Sequence, residues 1–597
     1  MYNRENISRL FSVNPTIQSL LNDAQNPRMA RLFLRSYIDE LISILFRNPQ
    51  TIQPLEWTLQ MSCLQTFKKL ISVRSERLAK FSLINLLWFI AKEDYEKLPD
   101  DLDDGFFEEL SHLFRGILGK SGIYDQEDVP EFKNLKGREA AISRSNQLDK
   151  LATTSLDHCK KYPTGLEKQI ISIREKNRKR ILEHYGATEK DWNNYLWHIQ
   201  HVIRNSKQLE SLIQLTPEEK EAIDMAREGK LPFGITPYYV SLMDQEPGRI
   251  RDHAVRAQVI PSLDYVTKML QNKADLTNCF DFMLEQDTSP IDLITRRYPM
   301  IVILKPYNTC SQICVYCQRN WEIDDVLAKD ALATKDKIIE AVNWIKDHPA
   351  INEVLVTGGD PLVMNDARVD FVLSLLADID HVERIRIGSR TPVVLPQRIT
   401  DDLMDIISKH HIPGKREVVL VTHYEHPYEI TPESMNAIQK FRQKGMAVYN
   451  QAVFTIENSR RFELVALRKN LRLIGVDPYY SFNTKGKEET KSFRVPMARL
   501  QQEIKEDARL LPGTVRTDEP VYNVPKLGKN YIRAQQHHSL LTILPNGRRV
   551  YEFHPWEKNL SLVDTYIDTD VSIYDYLQEL KKRGENLDDY KSIWYYY

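Results

Sequence analysis

The sequence predicts an α/β fold, a partial (βα)6 barrel preceded by an all-helical N-terminal extension. Three observations predict it. Residues 1–170 carry apolar side chains at helical spacing. From Met300 onward the pattern becomes strand, loop, helix, with short apolar runs at 300–304, 353–357, 383–387, 417–422, 446–454 and 477–482. Most recur at roughly thirty-residue intervals with amphipathic helices between, the rhythm of parallel βαβ units. Finally, the distinctive short motifs follow these runs, at the strand ends where parallel barrels place reactive groups.

In the extension, the helical pattern is clearest over Arg31–Ile42 and Phe81–Ile90. No constellation of chemistry-bearing residues occurs there, and Cys63 and Cys159 read as core residues. A docking or homo-oligomer-forming role is the hypothesis that its position offers. The charged run Arg174–Arg180, with its interleaved Glu175, reads as the solvated face of a helix. A second helical piece follows, in which Thr216 should cap a helix opening at Pro217-Glu218-Glu219. The expected divisions are 1–170 (helical extension), 171–295 (flanking helices), 296–511 (partial barrel) and 512–597 (a lysine-bearing segment, β-hairpin and tail).

Composition narrows the class. The 597 residues exceed one ordinary core. Apolar content of 42% and charged content of 27% suit a soluble globular chain. A net charge of −2 demands neither nucleic acid nor an anionic membrane. The N-terminus lacks a signal-peptide core, and no apolar run is long enough for a membrane span. Six cysteines, unevenly spaced, do not make a disulfide framework, so a reducing, cytoplasmic setting is expected.

Three of those cysteines, Cys310, Cys314 and Cys317, fall within Cys310-Ser311-Gln312-Ile313-Cys314-Val315-Tyr316-Cys317, just after the first apolar run. Cys-x3-Cys-x2-Cys lets one loop wrap three thiolates around a four-iron cubane and leaves one iron open. A closed zinc site would need a fourth ligand, and the nearest downstream histidine is His348.

That spacing is the signature of the radical S-adenosylmethionine superfamily. The motifs Arg297-Tyr298-Pro299, Thr357-Gly358-Gly359-Asp360-Pro361, the run Arg386–Arg398 and Thr422-His423-Tyr424-Glu425-His426-Pro427 resemble the lysine 2,3-aminomutase family within it. The likeness runs from about residue 185 to about residue 556. It implies a 4Fe-4S cluster on the three cysteines and S-adenosylmethionine on the open iron. Gly358, Gly359, Asp360, Ser389, His423 and Gln451 would line the S-adenosylmethionine site, with Asp360 toward the methionyl ammonium.

The resemblance further implies pyridoxal phosphate, held covalently by Lys529 with Arg297 and Tyr298 on its phosphate. The family's Asp-Ala-Pro and glycine run reads here Asn523-Val524-Pro525-Lys526-Leu527-Gly528-Lys529, one residue shorter and with a single glycine. Lys526 is the local rival, and Ile301 replaces a further family arginine. Arg319 matches the arginine that forks onto the substrate's α-carboxylate. Lys485 and Asn523 stand where lysine-specific members carry two aspartates. A cation and an amide suit a side-chain carboxylate, as in the family's glutamate 2,3-aminomutases.

The implied activity is that of an isomerase moving the α-amino group of an amino acid, glutamate by these two residues, to its β-carbon. An electron donor such as flavodoxin or ferredoxin is the implied partner. The alternatives are lysine or another amino acid as substrate, a radical enzyme without pyridoxal phosphate, and a non-catalytic iron–sulfur protein.

Overall fold

Six parallel strands coincide with the six apolar runs. The structure, a computed structural model, describes residues 4–47, 53–124, 130–272, 281, 283–319, 322–483, 488–555 and 560–597. A short strand β1 (Ile294–Thr295) pairs antiparallel with β2 (Ile301–Tyr307). β3 (Glu353–Gly358), β4 (Arg384–Gly388), β5 (Glu417–Thr422), β6 (Val448–Phe454) and β7 (Asp477–Asn483) follow, each parallel to the strand before it. Five helices make the crossovers: Lys335–Lys346, Asp366–Ala377, Asp401–Ser408, Pro432–Gln443 and Glu463–Leu473. Thr334, Asn365, Thr400 and Thr431 cap the first four by accepting a backbone N–H three residues on, each cap worth about 1 kcal/mol.

The two sheet faces differ in chemistry. Val302, Leu304, Val354, Val356, Ile385 and Ile387 are buried, in register, on one face. The alternate positions carry Lys305, Glu353, Thr357, Arg384 and Arg386, all partly or fully open. Arg386 pairs with Glu353 and donates to the Tyr479 hydroxyl at 3.0 Å. A sheet packed on both faces would be apolar on both. This one keeps a polar face, as a barrel with a ligand-holding interior requires.

The chain divides into two compact units. One comprises Asp157–Phe493 and Leu511–Glu519 and contains β1–β7. The other comprises Met1–Leu156, Arg494–Leu510 and Pro520–Tyr597, so the N-terminal helices and the C-terminal segment share one core. In it, β8 (Glu519–Val524) and β9 (Gly528–Tyr531) form a hairpin. β10 (His538–Ile543), β11 (Arg549–Phe553) and β12 (Tyr566–Thr569) form an antiparallel sheet. Arg549 of β11 grips Glu109 of helix Asp104–Ile117 through two 2.9 Å bonds, and both side chains are buried. Such a pair is costly to break from one side, by roughly 3–5 kcal/mol.

Several local expectations hold. Helices span Pro27–Arg47 and Leu83–Ala91, and Thr216 forms a capping box with Glu219 at the head of Pro217–Glu228. Cys63 is wholly buried, whereas Cys159 is half-buried with its thiol 3.9 Å from the Phe462 carbonyl. The Arg174–Arg180 run needs correction. Within helix Lys168–Tyr185, Glu175, Lys176 and Lys179 face water, but Arg174 and Asn177 are buried. Asn177 donates to the carbonyls of Ser241 and Met243, and Arg174 pairs with Glu433. Helical geometry turns positions three apart to one side, so a charged run can have a buried stripe. Among the described residues, no helix is long and apolar enough to cross a membrane.

Candidate active site

Cys310, Cys314 and Cys317 lie on the loop leaving the C-terminal end of β2, all half-buried. The loop is fixed by its backbone. Ile313 N–H donates to the Gly234 carbonyl at 3.0 Å and Val315 N–H to Gln258 at 2.7 Å. Cys317 N–H donates to the Cys314 carbonyl at 3.2 Å. Burial, the Asp360 carboxylate and the other two sulfurs push the Cys310 thiol well above its ordinary range. Burial also raises Cys314, against the opposing charge of Arg390. Three cysteines whose charges act on one another in this setting would give up their protons to a metal centre rather than to water, so the donor set fits an iron–sulfur cluster. The buried Ser311 Oγ and Gln312 Nε2 in the same loop lack a hydrogen-bond partner among the described residues, which leaves polar capacity for a further ligand.

The glycines after β3 bring that loop against the cysteine loop. Gly358 has φ +116°, and a Cβ on Gly359 would stand 2.1 Å from the Thr309 carbonyl oxygen. No side chain fits there. Gly359 N–H donates to the Tyr307 carbonyl and Asp360 N–H to Thr309, at 2.8 and 2.9 Å. The close approach of these glycines is to the backbone just before Cys310.

Asp360 is buried and ties two loops together. Its carboxylate accepts from Ser389 Oγ at 2.7 Å, Arg390 N–H at 2.9 Å and Leu362 N–H at 3.1 Å. Burial raises its pKa, and these donors pull it back. His423, after β5, is held down to about 4 by burial and the Arg390 charge, against a hydrogen bond with the Gln451 backbone of β6. Loops after β2, β3, β4 and β5 and one residue of β6 thus form one connected network.

Two further groups sit beside it. Glu425 is buried, accepts the Val453 N–H at 2.6 Å, and is pushed up to about 8 by burial. Between 4.5 and about 8 the folded chain keeps a proton that the unfolded chain releases. This contribution to stability is therefore full below 4.5 and is lost as pH rises through 8. Glu425→Gln should gain thermal stability relative to the parent between about pH 5 and about pH 9, measured as Tm; a constant difference would contradict this. His253, His426 and Glu463 form a buried set of metal-ligand type. Arg460, however, donates to both His253 Nε2 and Glu463 Oε1 at 2.8 Å, placing a guanidinium where a cation would bind.

The remaining predicted residues divide by unit. Arg297 and Tyr298 lie in the turn between β1 and β2, at the opposite end of β2 from the cysteines. Arg297 donates to the Met283 carbonyl. Arg319 is held near the cluster loop, its N–H 3.4 Å from Cys317 Sγ. Its Nη2 lies 2.7 and 2.6 Å from the two oxygens of Glu285, and Lys305 Nζ lies 3.8 Å from Glu285 Oε2. In the other unit, Asn523 of β8 pairs directly with Lys529 of β9, so both side chains share one face of the hairpin. Asn523 is buried and Lys529 half-buried. The three-residue loop Pro525-Lys526-Leu527 closes the hairpin, with Lys526 exposed at φ +64° and Gly528 at φ +92°. The single retained glycine stands where the left-handed backbone needs it. Ile301 opens β2. Lys485 lies outside the described residues.

Sequence reasoning missed two partners. Arg390, next to the predicted Ser389, donates to Cys314 Sγ at 2.8 Å. Glu285 meets Arg319 across thirty-four positions. Arg390 lies within the family-like run Arg386–Arg398 but has no role assigned there, and Glu285 belongs to no motif; the fold reveals both contacts.

Comparison with known proteins places this geometry. The Radical SAM superfamily pattern matches residues 304–466. An uncharacterised KamA family protein of Methanocaldococcus jannaschii is 43% identical over 98% of this chain and 97% of its own length. Glutamate 2,3-aminomutase of Clostridioides difficile is 35% identical over 59% of this chain and 79% of its own. L-lysine 2,3-aminomutase of Methanococcus maripaludis is 34% identical over 50% and 65%. The mutases match little more than half of this chain, whereas the KamA relative matches nearly all of it. Identity of that extent cannot come from one borrowed motif, and the chain belongs to the KamA family of radical SAM proteins.

Proposed function

We propose that the chain is a 2,3-aminomutase, an isomerase that moves the α-amino group of L-glutamate to the β-carbon. The observation that carries this is Arg319. Fixed two residues beyond a cluster cysteine, its guanidinium already grips a carboxylate, that of Glu285, at 2.6 and 2.7 Å. An amino acid's α-carboxylate is the same ligand, and binding would exchange one for the other. S-adenosylmethionine, when bound, supplies a carbon radical, and pyridoxal phosphate an aldehyde that holds the migrating nitrogen.

The chain's own residues bind and orient. The three thiols hold the cluster, leaving an iron corner open. Gly359 and Asp360 fix the second loop against the first. Lys529 offers the amine for the aldehyde, and Arg297 and Tyr298 are the residues for its phosphate. Asn523, beside Lys529 on the hairpin face, offers an amide where a distal ammonium would need a carboxylate; with Lys485 it favours an acidic side chain. The relatives named as glutamate and lysine mutases are about equally similar, so these two residues carry the choice of substrate.

The test is anaerobic incubation of reconstituted enzyme with isotopically labelled glutamate and lysine, products resolved by NMR. Labelled β-glutamate is the expected product. β-Lysine alone would overturn the substrate assignment, and unchanged amino acids across a wider panel would overturn the aminomutase reading.

A further inference from the structure

We infer that Arg390 is a positioning residue that sets the reduction potential of the cluster held by Cys310, Cys314 and Cys317, and that Glu429 opposes it. The inference rests on the family's cluster and not on glutamate as substrate.

The geometry singles out one nitrogen. Arg390 Nε donates to the His423 carbonyl at 3.1 Å. Its Nη2 donates to Glu429 Oε1 at 2.7 Å, to the Tyr239 hydroxyl at 3.3 Å and to Gln258 Oε1. The guanidinium face lies over the Tyr239 ring, 5.7 Å from its centroid. These contacts come from the helical piece (Tyr239, Gln258) and from the loop after β5 (His423, Glu429), and together they hold the planar fork on three sides. They leave Nη1 directed at Cys314 Sγ, 2.8 Å away. Gln258, which helps clamp the fork, also accepts the Val315 N–H of the cysteine loop through its carbonyl. Cluster loop and arginine are therefore registered to one another.

The chemistry follows from charge. One electron from an external one-electron carrier enters the cluster, no proton is taken up, and the cluster with its thiolates becomes more negative by one charge. A cation donating to a ligand sulfur stabilises the reduced form more than the oxidised form. The Arg390 side chain is only 11% exposed, so solvent screens this little. Glu429 acts in the opposite sense. It is wholly buried, and its second oxygen is held by the backbone N–H groups of Glu425 and His426 at 2.7 and 3.2 Å. A fixed carboxylate behind the guanidinium offsets part of its field at the sulfur.

The experiment is a redox titration followed by EPR of the reduced cluster, on reconstituted full-length protein without amino acid or pyridoxal phosphate. Arg390→Gln is expected to lower the reduced-to-oxidised ratio at a fixed potential about tenfold, a shift of about 59 mV for one electron. Arg390→Lys, which keeps the charge but not the fork, should fall between this variant and the parent. Glu429→Gln should shift the potential upward. Should Arg390→Gln fail to take up a cluster, the signs of the Arg390→Lys and Glu429→Gln shifts decide. Unchanged midpoints in the variants that load, or a downward shift for Glu429→Gln, overturn the inference. Loss of turnover on glutamate would leave it standing, because no turnover is measured.

Discussion

Replacing Cys314 with alanine is expected to leave a folded protein that cannot assemble its cluster. The residue is half-buried on a loop whose fixing bonds come from the backbone of Ile313, Val315 and Cys317; the fold does not depend on the thiol. The cluster does, because two remaining thiolates cannot hold a cubane against loss. The fall in iron affinity should exceed the ~100-fold that removal of a mere supporting partner causes. Iron and sulfide per chain after reconstitution measure it, with Cys63→Ala as the control. Cys63 is wholly buried, its thiol pushed up to about 12 by burial, and a Cβ on Gly116 would stand 2.3 Å from its sulfur. That variant should lose thermal stability and keep its cluster. The opposite pattern would mean the two kinds of cysteine had been confused.

Lys529→Ala is expected to abolish the visible absorbance of bound pyridoxal phosphate and to lower turnover by about 10²–10⁴-fold, the range for losing one positioned catalytic group. Lys526→Ala, three residues away, should change little, since that side chain is exposed on the hairpin loop. Its left-handed backbone, φ +64°, favours neither lysine nor alanine. Retention of the cofactor by Lys529→Ala and its loss in Lys526→Ala would reassign the lysine. Retention in both would mean that another residue holds the cofactor, and no such absorbance in the parent protein would mean an enzyme without pyridoxal phosphate.

The barrel was legible in the sequence because its signals are local. Apolar runs mark β2 to β7, and the amphipathic stretches between them mark the crossover helices. β1 escaped notice, since two residues carry no periodicity. The three-stranded sheet β10–β12 did too, beyond an expected hairpin: every residue of β11 is buried, so no alternation marks it. The cysteines, Gly359 and Asp360 could be found because spacing and residue type announce them. Arg390 and Glu285 could not. Arg390 sits in a family-like run with no contact legible in it, and Glu285 in no motif at all, until the fold brings them to Cys314 and Arg319. The buried stripe of helix Lys168–Tyr185 was hidden likewise: charge content set the expectation, and the side each residue faces decided the outcome.

The central claim is that three thiolates hold an iron–sulfur cube whose fourth corner is free for S-adenosylmethionine. Its most direct test is to reconstitute the full chain anaerobically, count metals, reduce it and add S-adenosylmethionine alone. About four irons per chain and release of an adenosine-derived product are the predicted result. Zinc in the loop, or a reduced cluster that leaves S-adenosylmethionine intact, would contradict it.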